Sequence, residues 1–173
     1  MKSKTERFWD RIAARYARSP VRNMPAFEDT LQRTLAHLSE NHRVLELGCG
    51  TGSTALLLAG NVRSYLATDF ASGMIEIAQA KLKGGPDGED HPQALRFAVA
   101  DVFSDKVEPG ETGYDAVLAF NFLHLVENAE DTLSRIHHLL KPGGLYISKT
   151  VCLKRRAWLF APLVKVMQMV GKA

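Results

Sequence analysis

The stretch Val44-Leu45-Glu46-Leu47-Gly48-Cys49-Gly50-Thr51-Gly52 decides how this chain folds. Four residues with strand character run directly into a turn with three glycines, and the residues from Ser53 to Ala59 are predicted to form a helix. Glycine lets the backbone turn sharply and approach a ligand without a Cβ atom in the way. The first N–H groups of the following helix lack partners within the helix. We therefore predict a strand–turn–helix unit able to hold a ligand, although a tight turn without a ligand is the alternative.

Short apolar runs alternate with helical segments after this turn. Strands are predicted at residues 44–47, 64–68, 95–100, 114–120 and 145–151, and helices at 53–59, 72–83 and 129–140. Two helices precede them, one over residues 4–18 and one from Pro25 to Ser39. Strands that alternate with helices pair in parallel through right-handed crossovers. The sequence thus predicts an α/β fold, a three-layer, doubly wound, mostly parallel sheet.

Composition restricts the class of protein. The chain has 173 residues, 46% of them hydrophobic, which suits a single domain with its own core. Its net charge of +3 is small and is expected to be evenly spread, so we predict no nucleic-acid partner. Because no run reaches about 18 uncharged apolar residues, we also predict no stable membrane insertion. Cys49 and Cys152 are interpreted as reduced thiols, and the charged start at residues 1–10 predicts no signal peptide, so we expect a cytoplasmic protein.

Two carboxylates follow successive predicted strands. Asp69 ends the second strand and Asp101 ends the third, which places both at the edge where a doubly wound sheet binds its ligand. Asp69 is suited to accept the two hydroxyls of a ribose, and the alternative is a cap for helix 72–83, for which Ser72 also qualifies. Asp101 is suited to accept the amino group of an adenine, and the alternative is a residue that forms a turn.

These acids belong to a larger set of motifs. Together with residues 44–59, Met74, the strand at 114–120 and the segment Leu139–Gly144, they resemble the class I S-adenosylmethionine-dependent methyltransferases, in the order and spacing of that family. The resemblance extends from residue 7 to residue 151. It implies a Rossmann-like methyltransferase fold with S-adenosyl-L-methionine as cofactor and S-adenosyl-L-homocysteine as product.

The resemblance also implies which residues bind the cofactor. In this chain they are Tyr16, Glu46, Gly48, Cys49, Gly50, Gly52, Asp69, Phe70, Met74, Asp101, Val102 and Asn121. The glycines, Tyr16 and Asn121 are expected near the methionine part and the sulfonium, and Glu46 is expected to support the loop. Asp69 is expected at the ribose, and Cys49 is expected to face the cofactor loop. Phe70, Met74, Asp101 and Val102 are expected around the adenine.

Charge distinguishes this interpretation from its alternatives. No Lys or Arg lies between Val44 and Asn61, which excludes a P-loop and suits a ligand with a sulfonium and an ammonium group. Residues 50–55 nevertheless fit the dinucleotide pattern G-x-G-x-x-A, so a nicotinamide-dependent oxidoreductase is an alternative. A catalytically inactive S-adenosylmethionine-binding protein is another. The favoured function is methyl transfer to an unidentified small-molecule acceptor by in-line displacement.

His124 is the candidate catalytic residue. It follows the fourth predicted strand and is suited to orient or deprotonate an acceptor, whereas a packing or helix-capping histidine is the alternative. His137 and His138 are adjacent on a helix, so their side chains point about 100° apart. We therefore predict no metal site.

The expected organisation is a single methyltransferase domain over residues 1–173. By resemblance, residues 1–40 form a helical lid, residues 41–151 the cofactor-binding core, and residues 152–173 a C-terminal cap helix. The family's sheet usually has seven strands, and the last two are missing from this sequence. We expect either a shortened chain, a naturally truncated protein, or an oligomer that covers the exposed fifth strand.

Overall fold

The computed structural model describes residues 3–84 and 94–150. Five α-helices occur in this part of the chain: α1 (Lys4–Arg18), α2 (Met24–Leu35), α3 (Ser53–Leu58), α4 (Ser72–Lys83) and α5 (Ala129–Leu139). The strands are β1 (Arg43–Leu47), β2 (Ser64–Asp69), β3 (Leu95–Val99), β4 (Tyr114–Phe120) and β5 (Leu140–Lys149). Short 3-10 helices cover Ala59–Asn61 and Leu123–Leu125. The expected C-terminal cap helix and Cys152 lie outside the described residues.

The five strands form one parallel sheet in the order β3-β2-β1-β4-β5. Val44 of β1 pairs with Tyr65 of β2 on one side and with Ala116 of β4 on the other. The strand order reverses between β1 and β4, and a crevice opens at the carboxyl ends of the strands on either side of such a reversal. The predicted α/β class is thereby confirmed, and the glycine turn after β1 lies at this crevice.

Successive residues of β1 face opposite layers of the fold. Val44 joins a core cluster with Tyr65, Leu58 and other side chains of α3 and α4, whereas Leu45 packs into a cluster with residues of α5. Because side chains alternate along a strand, Glu46 falls on the same face as Val44. The position in the strand therefore buries this carboxylate, and 2% of its surface is exposed.

Helix α1 packs against α4 through a stripe that differs from the strongest periodicity of its sequence. Trp9 and Ala13 cluster with Met74 and other residues of α4 and the preceding loop. Phe8 and Tyr16 belong to the apolar residues spaced four apart in the sequence of α1, yet they are 45% and 52% exposed. The narrow contact face explains the difference, because one helix that lies on another buries only the stripe along their line of contact.

The predicted start of the fifth strand is wrong by five residues. The strand begins at Leu140, which pairs with Tyr114, and the register then shifts so that Leu145 pairs with Ala116. The four residues between them bulge against Gly113, where a Cβ atom would lie 2.6 Å from the Lys141 nitrogen. The predicted end of α5 is close to the observed one, because the chain turns directly from Leu139 into the strand.

Candidate functional site

The Asp69 carboxylate joins the loops that follow β1 and β2. Its Oδ2 accepts a hydrogen bond from the Gly50 N–H at 3.0 Å, and its Oδ1 accepts one from the Ala71 N–H at 2.9 Å. Burial raises the pKa of Asp69, while the two backbone hydrogen bonds oppose that shift. The alternative role as a helix cap does not hold, since Ala71 is the N-cap residue of α4 and makes no side-chain cap. Asp69 thus sets the position of the glycine turn.

The three glycines of the turn differ in what surrounds them. All have positive φ: 67° at Gly48, 54° at Gly50 and 75° at Gly52. A Cβ atom would lie 2.6 Å from Phe122 at Gly48 and 2.6 Å from Phe97 at Gly52. At Gly50 the nearest atom would be Cε1 of Tyr16, 3.9 Å away. Gly50 therefore faces open space beside the Tyr16 ring, whereas the other two glycines are held in packed surroundings.

Glu46 is buried beneath this turn. Its Oε2 accepts a hydrogen bond from the Tyr65 hydroxyl at 2.7 Å, and its backbone carbonyl accepts one from the Thr68 hydroxyl at 3.2 Å. Burial raises the pKa of Glu46 to about 7, the hydrogen bond from Tyr65 lowers it, and the charge of Asp69 raises it further. The carboxyl group consequently changes its charge near neutral pH.

The shift at Glu46 predicts a pH-dependent stability. The folded chain holds this proton up to a pH of about 7, while the unfolded chain releases it near 4.5. The stabilisation that the protonated Glu46 carboxyl contributes is therefore fully present below a pH of about 4.5. About 3 kcal/mol of it is lost as the pH rises from there to about 7. We expect the free energy of unfolding of Glu46→Gln to lack this decline. Urea unfolding of both proteins between acidic and mildly alkaline pH is the measurement, and parallel pH profiles would contradict the assignment.

Cys49 and Met74 contribute packing around the turn. The Cys49 thiol is buried in the core cluster of β1 and β2, and burial with the nearby Glu46 and Asp69 carboxylates raises its pKa. It is thus held protonated, which disfavours a nucleophilic role. Met74 is buried under α1, and the partly buried Phe70 packs against the same cluster.

The segment after β3 forms a turn around Asp101. Asp101 is exposed, and its Oδ1 accepts a hydrogen bond from the Phe103 N–H at 2.7 Å. One oxygen of Asp101 therefore forms a turn, as the alternative interpretation expected. Val102 is buried, and its carbonyl accepts a hydrogen bond from Nε of Arg135 at 3.3 Å, so α5 fixes the start of this loop.

Asn121 and His124 lie at the carboxyl end of β4. Asn121 has a φ of 54°, a conformation that few residues other than glycine adopt, and its N–H donates to the Lys149 carbonyl of β5. His124 is exposed, with its Nδ1 3.1 Å from the Thr150 hydroxyl oxygen, so it is not a core-packing histidine. Both residues therefore follow β4 at the edge of the sheet where the crevice opens.

Two further residues organise the site although the sequence gives little sign of them. Asp10 of α1 accepts a hydrogen bond from the Gly73 N–H at 2.8 Å and so caps α4 from another helix. Lys81 of α4 donates from Nζ to the Thr51 carbonyl at 2.9 Å and to the Ser53 hydroxyl at 3.0 Å. The missing side-chain cap at Ala71 was the available signal for Asp10. Lys81 had none, because its partners are 28 to 30 positions away in the sequence.

Two kinds of feature are absent from residues 3–84 and 94–150. No group of three or more His, Cys, Asp and Glu side chains in this part is arranged to hold a metal ion. The rings of His137 and His138 are 6.0 Å apart and nearly perpendicular. No helix among these residues has the length and apolar character required to span a membrane.

Similarity to known proteins agrees with this geometry. The sequence profile of a family described as Methyltransferase domain matches residues 45–146. Fusarielin synthase of Gibberella zeae is 36% identical over 111 residues, which are 61% of this chain and 4% of that protein. A non-reducing polyketide synthase of Macrophomina phaseolina is 32% identical over 143 residues, which are 76% of this chain and 6% of that protein. The chain thus spans a small fraction of the length of these curated relatives.

Solved structures show the same fold. The CurJ carbon methyltransferase is 27% identical, with a TM-score of 0.54 over 70% of this chain and 32% of the other. A complex of DhpI with SAM and HEP has a TM-score of 0.68 at 22% identity, over 93% of this chain and 73% of the other.

The match of residues 45–146 to the methyltransferase family, together with the parallel sheet and its glycine turn, identifies a class I S-adenosylmethionine-dependent methyltransferase. The chain belongs to the methyltransferase domain family, and its cofactor is S-adenosyl-L-methionine. Membership of this family argues against the nicotinamide-dependent alternative.

Proposed function

We propose that this domain transfers a methyl group from S-adenosylmethionine to a carbon atom of a small acyl acceptor of the polyketide type. The observation that carries the proposal is the open face at Gly50, which lies between the Tyr16 ring and the Asp69 carboxylate. Several of its curated relatives are polyketide synthases, and one similar solved structure is a carbon methyltransferase.

The residues at the turn suit the cofactor chemically. Gly50 has no Cβ atom to fill the space beside Tyr16, and the buried carboxylates of Asp69 and Glu46 lie next to the turn. Carboxylates suit a ligand with hydroxyl donors and positive charges, and glycine allows its close approach. We propose that Asp69 holds the ribose, that Gly48, Gly50 and Gly52 line the methionine part with Tyr16 above it, and that Glu46 supports the turn.

The other contacts are proposed from the positions of the surrounding loops. Phe70 and Met74 flank the adenine, while the free oxygen of Asp101 and the Val102 backbone bind its edge. Asn121 lies toward the sulfonium. Residues 1–40 act as the lid, since Trp9 packs against the loop after β2 and Tyr16 lies beside Gly50. Residues 41–151 form the core, as the sheet within them supports, and the cap over 152–173 lies outside the described residues.

His124 is proposed as the general base. S-adenosylmethionine supplies an electrophilic methyl group when bound. A carbon acceptor between two carbonyl groups arrives protonated, so a base must remove its proton before the carbon attacks in line. The His124 ring is exposed at the carboxyl end of β4, and the Thr150 hydroxyl beside Nδ1 orients it. Its other ring nitrogen is then available to take the proton.

Turnover of a simple acceptor tests this function. We expect the wild-type chain to add one methyl group to acetoacetyl-N-acetylcysteamine, a small β-ketoacyl thioester, with mass spectrometry locating the methyl on the carbon between the carbonyls. His124→Gln should lower kcat by about 100-fold or more and leave the affinity for S-adenosylhomocysteine unchanged. His137→Gln, at an exposed position on α5, is the matched control and should behave as wild type.

Several results would contradict the proposal in different ways. Methylation of only an oxygen or nitrogen acceptor would exclude the carbon acceptor. Cofactor binding without turnover of any acceptor would favour the inactive binding protein. Unchanged turnover in His124→Gln would remove the general base while leaving methyl transfer intact.

A further inference from the structure

The outer face of α1 carries a narrow row of basic side chains, which we call the basic stripe: Lys4, Arg7, Arg11, Arg15 and Arg18. All five residues are exposed. At 100° per residue, their directions around the helix axis fall within an arc of about 80°. Trp9 and Ala13 point to the opposite side, where they pack against α4. The helix therefore holds its apolar side on the domain and turns its basic side outward.

This arrangement corrects the expectation of an evenly spread charge. Helix α1 contains five basic and two acidic residues, so its net charge of +3 equals that of the entire chain. The two acids lie outside the arc, and Asp10 is directed to the N-terminus of α4. Residues of like charge three or four positions apart destabilise a helix by about 0.2–0.5 kcal/mol per pair. The stripe therefore adds no stability to the helix itself.

The stripe lies on the same helix as Tyr16, which points about 100° away from the edge of the arc. Tyr16, on the same helix, lies beside Gly50 at the glycine turn. Arg15 and Arg18 are within one turn of Tyr16 along α1. A partner bound along the outer face of α1 would therefore lie within one helix diameter, roughly 10–12 Å, of the open face at Gly50.

We propose that the basic stripe is a docking surface for an acidic protein that presents the acyl acceptor as a thioester. The acyl part rests on the proposed function, whereas the docking rests on the charge and shape of α1. The stripe spans about 21 Å of one helix, which fits a single acidic helix of a partner. The rest of the chain has no net charge to extend the attraction.

The same geometry disfavours two other negatively charged partners, a membrane surface and a nucleic acid. An interfacial helix inserts its apolar face into a membrane, but that face of α1 is packed against α4. Proteins that bind single-stranded nucleic acid stack successive bases on several aromatic side chains, whereas a single exposed ring, Phe8, lies beside the arc of the stripe. An acidic protein surface needs only the row of positive charges that α1 presents.

Charge reversal within the stripe tests the docking. We expect Arg11→Glu/Arg15→Glu to lower the affinity for an acetoacetyl-loaded acyl carrier protein by about 10-fold or more, measured by calorimetry at low and at physiological salt. The matched control is Arg63→Glu/Lys83→Glu, which makes the same change of charge at exposed positions off α1. Thermal unfolding of both variants checks that the fold is retained.

Kinetics separate docking from chemistry. We expect the stripe variant to raise KM for the carrier-bound acetoacetyl group and to leave kcat/KM for the free acetoacetyl thioester unchanged. Absence of carrier binding by the wild-type chain, or wild-type affinity in the stripe variant, would overturn the proposal. Tighter stripe-dependent binding to duplex DNA or phosphatidylserine vesicles than to the carrier would overturn it as well. If the wild-type chain does not methylate the free thioester, the proposed acyl acceptor is wrong. The calorimetric titration still tests whether the carrier protein binds to the basic stripe.

Discussion

Replacement of Asp69 by Ala is expected to lower the affinity for S-adenosylmethionine by about 100-fold or more. The substitution removes the proposed ribose contact together with the acceptor of two hydrogen bonds, from the Gly50 and Ala71 N–H groups. A buried donor without a partner destabilises a structure by about 1–3 kcal/mol, so the glycine turn loses its position as well. Calorimetric titration with S-adenosylmethionine and S-adenosylhomocysteine measures the loss.

Asp69→Asn sharpens this test because it keeps the size of the side chain. The Asn side chain has only one oxygen. Its NH₂ group must therefore face one of the two backbone N–H groups from which Asp69 accepts hydrogen bonds, and two donors cannot bond to each other. We expect Asn to bind the cofactor almost as poorly as Ala. Asp29→Asn is the control, because Asp29 makes an exposed ion pair with Arg33 on α2. Cofactor affinity within a factor of about two of wild type in Asp69→Ala would contradict the assigned role.

Gly52→Ala is expected to lower the free energy of unfolding by about 2–4 kcal/mol. The added Cβ atom would lie 2.6 Å from Cζ of Phe97 and 2.9 Å from the Ala78 methyl group. Both residues are buried, so neither can move away without disturbing the core between β3 and α4. The positive φ of 75° adds strain to the overlap. Urea unfolding gives the change in stability.

Gly50→Ala is the matched comparison for Gly52. Its φ is also positive, but a Cβ atom there would have Tyr16 at 3.9 Å as its nearest neighbour. We therefore expect a stability loss of only about 1–2 kcal/mol. The affinity for S-adenosylhomocysteine should nevertheless fall in this variant, because the methyl group enters the space proposed for the ligand. Equal stability losses at the two glycines would show that the close packing of Phe97 and Ala78 does not add to the loss at Gly52.

Much of the fold follows from local sequence. The strands at 44–47, 64–68 and 114–120 are confirmed to within about one residue, because each is a short apolar run bounded by a turn or a charged residue. Helix α4 is confirmed over residues 72–83, where the apolar residues Met74, Ile75 and Ala78 recur at helical spacing. The start of β5 was missed, because Leu140 enters the strand only through its pairing with Tyr114. The bulge contains Pro142, Gly143 and Gly144, a run that is equally typical of a turn between a helix and a strand, so it did not indicate where the strand begins.

The cofactor class and the motifs of the candidate site could also be predicted. The glycine turn and Asp69 are readable as motifs, since each lies directly after a predicted strand. The expected even spread of charge was wrong for a physical reason. Whether arginines spaced along α1 form one surface depends on which side of the helix is buried, and the packing of Trp9 and Ala13 on α4 decides that.

The sequence by itself determined the parallel sheet, the methyltransferase class and the order of residues along the crevice. These properties depend on local preferences and on the rule that parallel strands end at one edge. Only the tertiary structure decided that Asp69 holds the turn rather than capping α4, that Gly50 alone among the turn glycines faces open space, and that Asp10 caps α4. Each of these joins residues distant in the chain, and the geometry of such contacts is set by the packing of whole elements.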